Sequence, residues 1–284
     1  KQNALVKLNS FKVKIGYPDK WKDYSSIVVN PEESYWANIK KAIKWHVDEG
    51  MAKYGKPVDK EEWLMSPQTV NAYYNPTTNE ICFPAGILQA PYFDVNADDA
   101  CNYGAIGVVI GHEMTHGFDD QGRNFDQNGN MIDWWTAQDS ESFKTLTEVL
   151  VNQFDKVEVA EGVNANGRYT LGENIADQGG LRVAYTAFKK TQQGQGEDKI
   201  DGLIAAFIEN NDKYKINMWI SFDTGIYINI TEQEILRRTK TDVHSLGKWR
   251  VNATLRNIDT FYKAFDVKEG DAMYLPEAER VIIW

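Results

Sequence analysis

His112-Glu113-Met114-Thr115-His116 sets two imidazoles one helical turn apart with a carboxylate beside them. Residues four apart stand on the same helical face, so both rings can reach one ion. Glu113 is rotated toward the space that an ion-bound water fills. A pair of satisfied core histidines is the plainer alternative. Immediately upstream, Gly104-Ala-Ile-Gly-Val-Val-Ile-Gly111 is small and apolar, the composition of a buried helix whose backbone comes close to its neighbours. Gly117 supplies a stop, and the spacing predicts a helix over 97–118.

A catalytic zinc takes three protein ligands and keeps one position open, so the histidine pair needs a third group. Thr170-Leu-Gly-Glu-Asn-Ile-Ala-Asp177 offers one. Glu173 and Asp177 are again four apart, which allows Glu173 to bind metal while Asp177 accepts a hydrogen bond from the far nitrogen of a ligand histidine. The segment also fits the S/T-x-x-E capping box, in which Glu173 would merely turn back to its own helix start. Capping leaves Asp177 without a role.

His112 to His116 followed by Gly117-Phe-Asp-Asp-Gln-Gly122, then Gly172-Glu-Asn-Ile-Ala-Asp177, resemble the neprilysin family of zinc endopeptidases. Two further segments match in the right order, Val70-Asn-Ala-Tyr-Tyr-Asn75 and His244-Ser-Leu-Gly-Lys-Trp-Arg250. The wording is most similar to bacterial members, and Trp284 stands where the family's chains normally end. The resemblance implies a thermolysin-like catalytic domain, α+β and mainly helical, holding one Zn2+ through His112, His116 and Glu173. It implies Glu113 as general base, Asp177 as the group that orients His112, and Asp119 as a further supporting residue. Asn71 and the backbone of Ala72 would grip a peptide main chain, His244 would donate to the oxyanion, and Arg250 would hold a substrate carbonyl. By position alone, Val108, Val109 and Tyr92 are candidates for the wall of the pocket beyond the scissile bond, with core packing the competing reading.

The chemistry has its own rationale. Three ligands leave zinc a place for water, whose pKa falls to about 7, so a neighbouring carboxylate can take its proton at neutral pH. The tetrahedral intermediate develops negative charge that a fixed donor such as His244 can stabilise, and Glu113 can return the proton to the leaving amine. The expected activity is cleavage of short peptides on the amino side of hydrophobic residues. The alternative is a catalytically inactive, zinc-stabilised peptide-binding module.

Two departures from the family pattern bear on this. The helical lobe that family members carry before this region is absent from the 284 residues, which could be a fragment, a processed product or one of two chains, and an open cleft is the expectation for the region alone. The stretch 204–228, where the family has an aromatic-rich helix walling the pocket, lacks that pattern, which leaves pocket specificity open.

The composition is that of a folded enzyme domain, 42% hydrophobic and 25% charged over 284 residues. We read it as a single domain, 1–284, with a β-containing part over about 1–96 and a helical zinc-site part over about 97–284. The net charge of −10 speaks against a nucleic-acid surface. Apolar runs are too short to cross a bilayer, and the opening Lys-Gln-Asn shows no signal-peptide pattern. Cys82 and Cys101 permit at most one internal disulfide. The resemblance implies an extracytoplasmic location, in a bacterial periplasm or envelope. Peptides are the expected partners, and the sequence does not fix an oligomeric state.

Along the chain, 1–29 reads as strand-rich, with Phe11-Lys-Val-Lys-Ile15 alternating, and 32–54 as helix. A hairpin is expected from 69–74 and 80–84 around Asn75-Pro-Thr-Thr-Asn79, its exposed edge able to add a peptide as an extra strand. A helix is expected over 137–154, a turn at Asn166-Gly167 and an exposed loop over 192–199. Asp126, Asn128 and Asn130 imitate the start of a calcium loop, but Met131 occupies the position that needs glycine, so an ordinary Asn-Gly turn is the better reading.

Overall fold

The computed structural model describes residues 1–195 and 230–284. The expectation for 204–228 therefore lies outside the described residues. Contacts divide the chain into two compact units, one of Lys1–Gly16 with Pro67–Trp284 and the other of Tyr17–Ser66.

The smaller unit carries one long helix. Helix α1 (Gln2–Asn9) and strand β1 (Lys12–Gly16) precede it, and its own helix is α2 (Tyr35–Ala52), close to the expected 32–54. Ser34 caps α2, its hydroxyl accepting from the Ala37 amide at 3.2 Å. Tyr24 packs on Trp45 with ring centroids 4.6 Å apart.

In the larger unit, the strand-rich expectation for 1–29 holds only for β1. Gln2–Asn9 coils into α1 instead, because the run contains a single β-branched residue, Val6, beside the strong helix formers Gln2, Ala4, Leu5, Lys7 and Leu8. The expected hairpin is present as β2 (Tyr73–Asn75) and β3 (Glu80–Pro84), with Tyr73 opposite Cys82 and Asn75 opposite Glu80. Strand β1 joins the other side of β3 in parallel, giving the order β1-β3-β2 and leaving β2 on an edge. The alternation of β1 is inverted: Val13 and Ile15 are exposed, while buried Lys14 pairs with the Glu80 carboxylate at 2.8 Å. Both cysteines are free, and burial pushes the Cys82 thiol up to about 11.

The predicted 97–118 helix is α3 (Asp99–Asn102), a π-helical stretch (Tyr103–Gly107) and α4 (Val108–His116) in direct succession. Helix α5 (Ala137–Asp155) starts from Thr136, whose side chain accepts from the Asp139 amide. A small ribbon of β4 (Glu158–Ala160) and β5 (Val163–Asn164) leads to α6 (Leu171–Phe188), and α7 (Glu232–Thr241), α8 (Gly247–Leu255) and α9 (Asp259–Phe265) follow. The arrangement is mainly helical α+β, as expected. At 126–130 the Asp126 carboxylate accepts the amides of Asn128 and Asn130 at 2.9 and 2.8 Å, and Gly129 takes φ +85°: the expected turn closes on itself.

Helices α4 and α6 cross backbone to backbone. A Cβ on Gly111 would stand 2.7 Å from the Gly180 carbonyl, and one on Gly180 would stand 2.7 Å from the His112 amide nitrogen. Only glycine permits this approach. Around the crossing, Val108 packs with Leu181, Ala184, Val251 and Leu255, while Val109 and Tyr92 pack with Ile81, Phe83, Ile87 and Ile106 under the sheet. Val108, Val109 and Tyr92, the candidates for the pocket wall, are all buried in these clusters. Each fills the core, because each faces the sheet or the neighbouring helices, and none of the three lines the cleft described next. The distal end of the chain grips α6 as well: the buried Gln178 amide donates to the Val281 carbonyl at 2.9 Å and accepts from the Ile283 amide at 3.0 Å.

Candidate active site

A cleft of about 570 Å³ runs between β2 and the crossing of α4 with α6. Asn71, Ala72, His112, Glu113, His116, Asp119, Glu173, His244 and Arg250 all line it. The residues singled out in four separated stretches of sequence are thus brought to one place. Asp177 lies directly behind, completely buried.

The Nε2 atoms of His112 and His116 face each other at 2.9 Å. Glu173 Oε2 lies 3.2 Å from the first and 3.6 Å from the second. One donor atom from each of the three residues falls within 4.8 Å of the others. Glu173 does not cap its own helix: Thr170, at the start of α6, makes no side-chain capping bond and instead takes the amide of Asn174 on its hydroxyl at 2.9 Å. Glu173 Oε2 is buried and accepts no hydrogen bond, which is costly for a carboxylate oxygen unless a cation completes its surroundings. Two imidazole nitrogens and one carboxylate oxygen converging in this way suit zinc.

The outer nitrogens of both rings are anchored. His112 Nδ1 donates to Asp177 Oδ1 at 2.9 Å, and His116 Nδ1 donates to Asp119 Oδ2 at 2.6 Å. These bonds fix both rings so that each Nε2 faces the shared point. Burial opposes protonation of His116, but the Glu173 and Asp119 carboxylates outweigh it and hold the ring well above the ordinary histidine value. Burial pushes the Glu113 carboxyl above its usual range, although the two imidazoles pull it back. A carboxylate so shifted is better matched to proton transfer near neutrality.

Arg250, from α8, is fully buried, and its guanidinium binds Asp177 through two nitrogens. His244 Nε2 points at the same Glu173 oxygen from 3.3 Å, while its Nδ1 donates to Asp242 at 2.8 Å. Asn71 Oδ1 accepts from the amide of Ala72 at 2.9 Å.

Three supports escaped the sequence reading. Asp242 orients His244, and its position two residues upstream was the available signal. The Ser245 hydroxyl donates to Asn174 at 2.8 Å, tying the neighbour of His244 to the neighbour of Glu173. Lys7 reaches the loop after α4 from α1, far away in sequence, with no local signature.

The sequence profile of Peptidase family M13 matches residues 71–281. Neprilysin-3 of Drosophila melanogaster is 38% identical over 293 residues, covering 100% of this chain and 36% of that protein. Human neprilysin is 36% identical over 296 residues, covering 100% of this chain and 38% of its own length. Among solved structures, the Mycobacterium tuberculosis zinc metalloprotease Zmp1 in complex with inhibitor superposes with a TM-score of 0.87 at 42% identity, covering all of this chain and 42% of that one. PepO from Lactobacillus rhamnosis HN001 gives a TM-score of 0.82 at 31% identity, covering 99% of this chain and 42% of its own. This chain belongs to peptidase family M13, the neprilysin family, with the thermolysin-like metallopeptidase fold. It spans well under half the length of the relatives it matches. Among the described residues, no helix is long and apolar enough to cross a membrane.

Proposed function

We propose that this chain is the catalytic region of a zinc-dependent endopeptidase that hydrolyses short peptides. The observation that carries the reading is the convergence of His112, His116 and Glu173 to within 4.8 Å, with the buried Glu113 carboxylate on the same helix as the two imidazoles. Those three residues would hold the zinc, which when bound supplies a Lewis acid and brings the pKa of its water to about 7.

In this reading the chain's own groups divide the remaining work. Glu113 accepts the proton of the attacking water and returns it to the departing amine. His244, steadied by Asp242, donates to the oxygen on which negative charge grows. Asp177 and Asp119 keep the two imidazoles in the ligating tautomer. Strand β2 borders the cleft as a sheet edge, so an extended peptide can lie beside it with Asn71 and Ala72 as polar contacts. Arg250 lines the cleft while bound to Asp177, and holding a substrate carbonyl is its second role. Preference for cleavage before hydrophobic residues, and action outside the cytoplasm, belong to the same reading and rest on the family likeness.

Elemental analysis of the purified chain, together with cleavage of quenched fluorescent peptides, tests it. One zinc per chain and chelator-sensitive hydrolysis are expected. Hydrolysis unchanged after thorough chelation would overturn the metal assignment. Peptide binding without any cleavage would favour an inactive binding module, and a peptide library cleaved without regard to the residue after the scissile bond would remove the specificity.

A further inference from the structure

Helix α4 ends at His116, and residues 117–125 turn back over its end. The ammonium of Lys7, carried in from α1, sits inside this turn. Its Nζ donates to the carbonyls of Gly117, Gly122 and Phe125, each at 2.7 Å. The rings of Tyr74, Phe118 and Trp134 surround it, with centroids 5.6 to 5.8 Å away. Lys7 is 1% exposed. A buried ammonium is expensive unless its protons are all taken, and here three carbonyls take them and aromatic faces close the shell. Lys7 itself is pinned: the buried Asn79 amide donates to the Lys7 carbonyl at 3.2 Å and to the Ser10 hydroxyl at 3.0 Å.

The loop thus gathered contains Asp119. Its Oδ2 accepts from His116 Nδ1 at 2.6 Å, and its Oδ1 accepts from the amides of Gln121 and Gly122 at 2.8 and 2.6 Å. Gly122 is common to both arrangements: its amide goes to Asp119 and its carbonyl to Lys7. We propose that Lys7 is a positioning residue for the metal ligand His116, acting through the Gly122 backbone and Asp119. The ammonium does the work of a structural cation. It draws carbonyls from three points of the loop together, which fixes where the Asp119 carboxylate stands and so how the His116 ring is turned. A supporting carboxylate typically contributes 10- to 100-fold in metal affinity, so its misplacement is measurable at the metal.

This inference rests on the zinc reading above, and a double-mutant cycle on zinc affinity separates the two. Zinc dissociation constants of the purified chain and of Lys7→Met, Asp119→Asn and the double variant are measured by competition with a chromophoric chelator. Lys7→Met is expected to weaken zinc binding at least about tenfold, and the double variant to bind no worse than Asp119→Asn alone. Unchanged zinc affinity in Lys7→Met, or losses that simply multiply in the double variant, would overturn the role while leaving a purely stabilising lysine. Absence of zinc binding in the unmodified chain would instead overturn the zinc reading. Should Lys7→Met not fold, Lys7→Gln, which keeps two N–H donors, enters the same cycle with a smaller loss expected and the same criterion of non-additivity.

Discussion

Arg250 and Asp177 meet as a two-pronged pair sealed from solvent. The guanidinium Nη2 lies 2.6 Å from Oδ1 and Nε lies 2.7 Å from Oδ2, with both side chains 0% exposed. The same Oδ1 accepts from His112, so one carboxylate serves both the packing of α8 on α6 and the orientation of the His112 ring. Burial alone would raise the Asp177 carboxyl, but the guanidinium outweighs it and holds it below the usual range.

Asp177→Asn should therefore be destabilising out of proportion to its size. Breaking a buried pair by removing one partner costs about 3–5 kcal/mol, because Arg250 is left uncompensated. Zinc affinity should fall about 10- to 100-fold in parallel. Urea unfolding of the metal-free chain and chelator competition would measure the two losses. The pH dependence has a definite sign: a carboxyl lowered on folding contributes stability at neutral pH that disappears as pH falls through its folded value. The asparagine variant should lack that part of the acid limb, and a variant as stable as the parent would show that the pair contributes no net stability.

Glu113→Gln should keep zinc and lose turnover. The amide preserves shape but cannot take a proton, which removes about 10²–10⁴-fold in rate. Zinc content by elemental analysis should match the parent. Retention of most of the activity would reassign the proton acceptor.

His244→Ala should lower kcat about 10²–10³-fold with little change in zinc content, since loss of one oxyanion donor is felt mainly in the transition state. Steady-state kinetics on one peptide would resolve kcat from KM. A rise in KM alone would make His244 a binding group only.

Gly180→Ala tests the crossing of α4 and α6. The added methyl would stand 2.7 Å from the His112 amide nitrogen, backbone that has no rotamer to yield. Overpacking of this kind costs about 1–3 kcal/mol, and relief by separating the helices should also weaken zinc binding. Thermal unfolding with and without zinc would show both effects, whereas an unperturbed alanine variant would show that the helices part freely.

Lys7 carries a pH signature. Burial lowers its ammonium from 10.5 to about 8, although Asp119 and Asp126 pull the other way. Between about pH 8 and 10.5 the unfolded chain binds the proton that the folded chain has released, so stability attributable to Lys7 rises with pH across that window. Denaturant unfolding of the parent relative to Lys7→Met at pH 7.5 and pH 10 should show the difference. Parallel profiles would mean that Lys7 keeps its proton throughout.

The sequence disclosed what is local and periodic. His112 with His116, and Glu173 with Asp177, are readable because four residues make about one helical turn, and the hairpin around Asn75-Pro-Thr-Thr-Asn79 because turn residues separate two strand-like runs. It did not disclose contacts that join distant segments. Lys7 meets Gly117 across 110 positions and Arg250 meets Asp177 across 73, and neither partner announces the other. Apolar residues beside a motif are equally ambiguous: Val108 and Val109 look like pocket wall or core, and their spacing does not reveal that each packs into a buried cluster. The start of the chain misled in the opposite sense, since Gln2–Asn9 is helical and β1 buries its lysine while exposing Val13 and Ile15.

The hold of Val281 and Ile283 on Gln178 bears on the order in which the proposed site is assembled. Gln178 lies about one turn along α6 from Glu173, yet among the described residues its side-chain amide bonds to residues more than a hundred positions downstream. In chain order, His112, His116 and Glu173 all precede Val281 and Ile283. Under the proposed function, a nascent chain would carry His112, His116 and Glu173 before it carries the segment that holds Gln178 in α6.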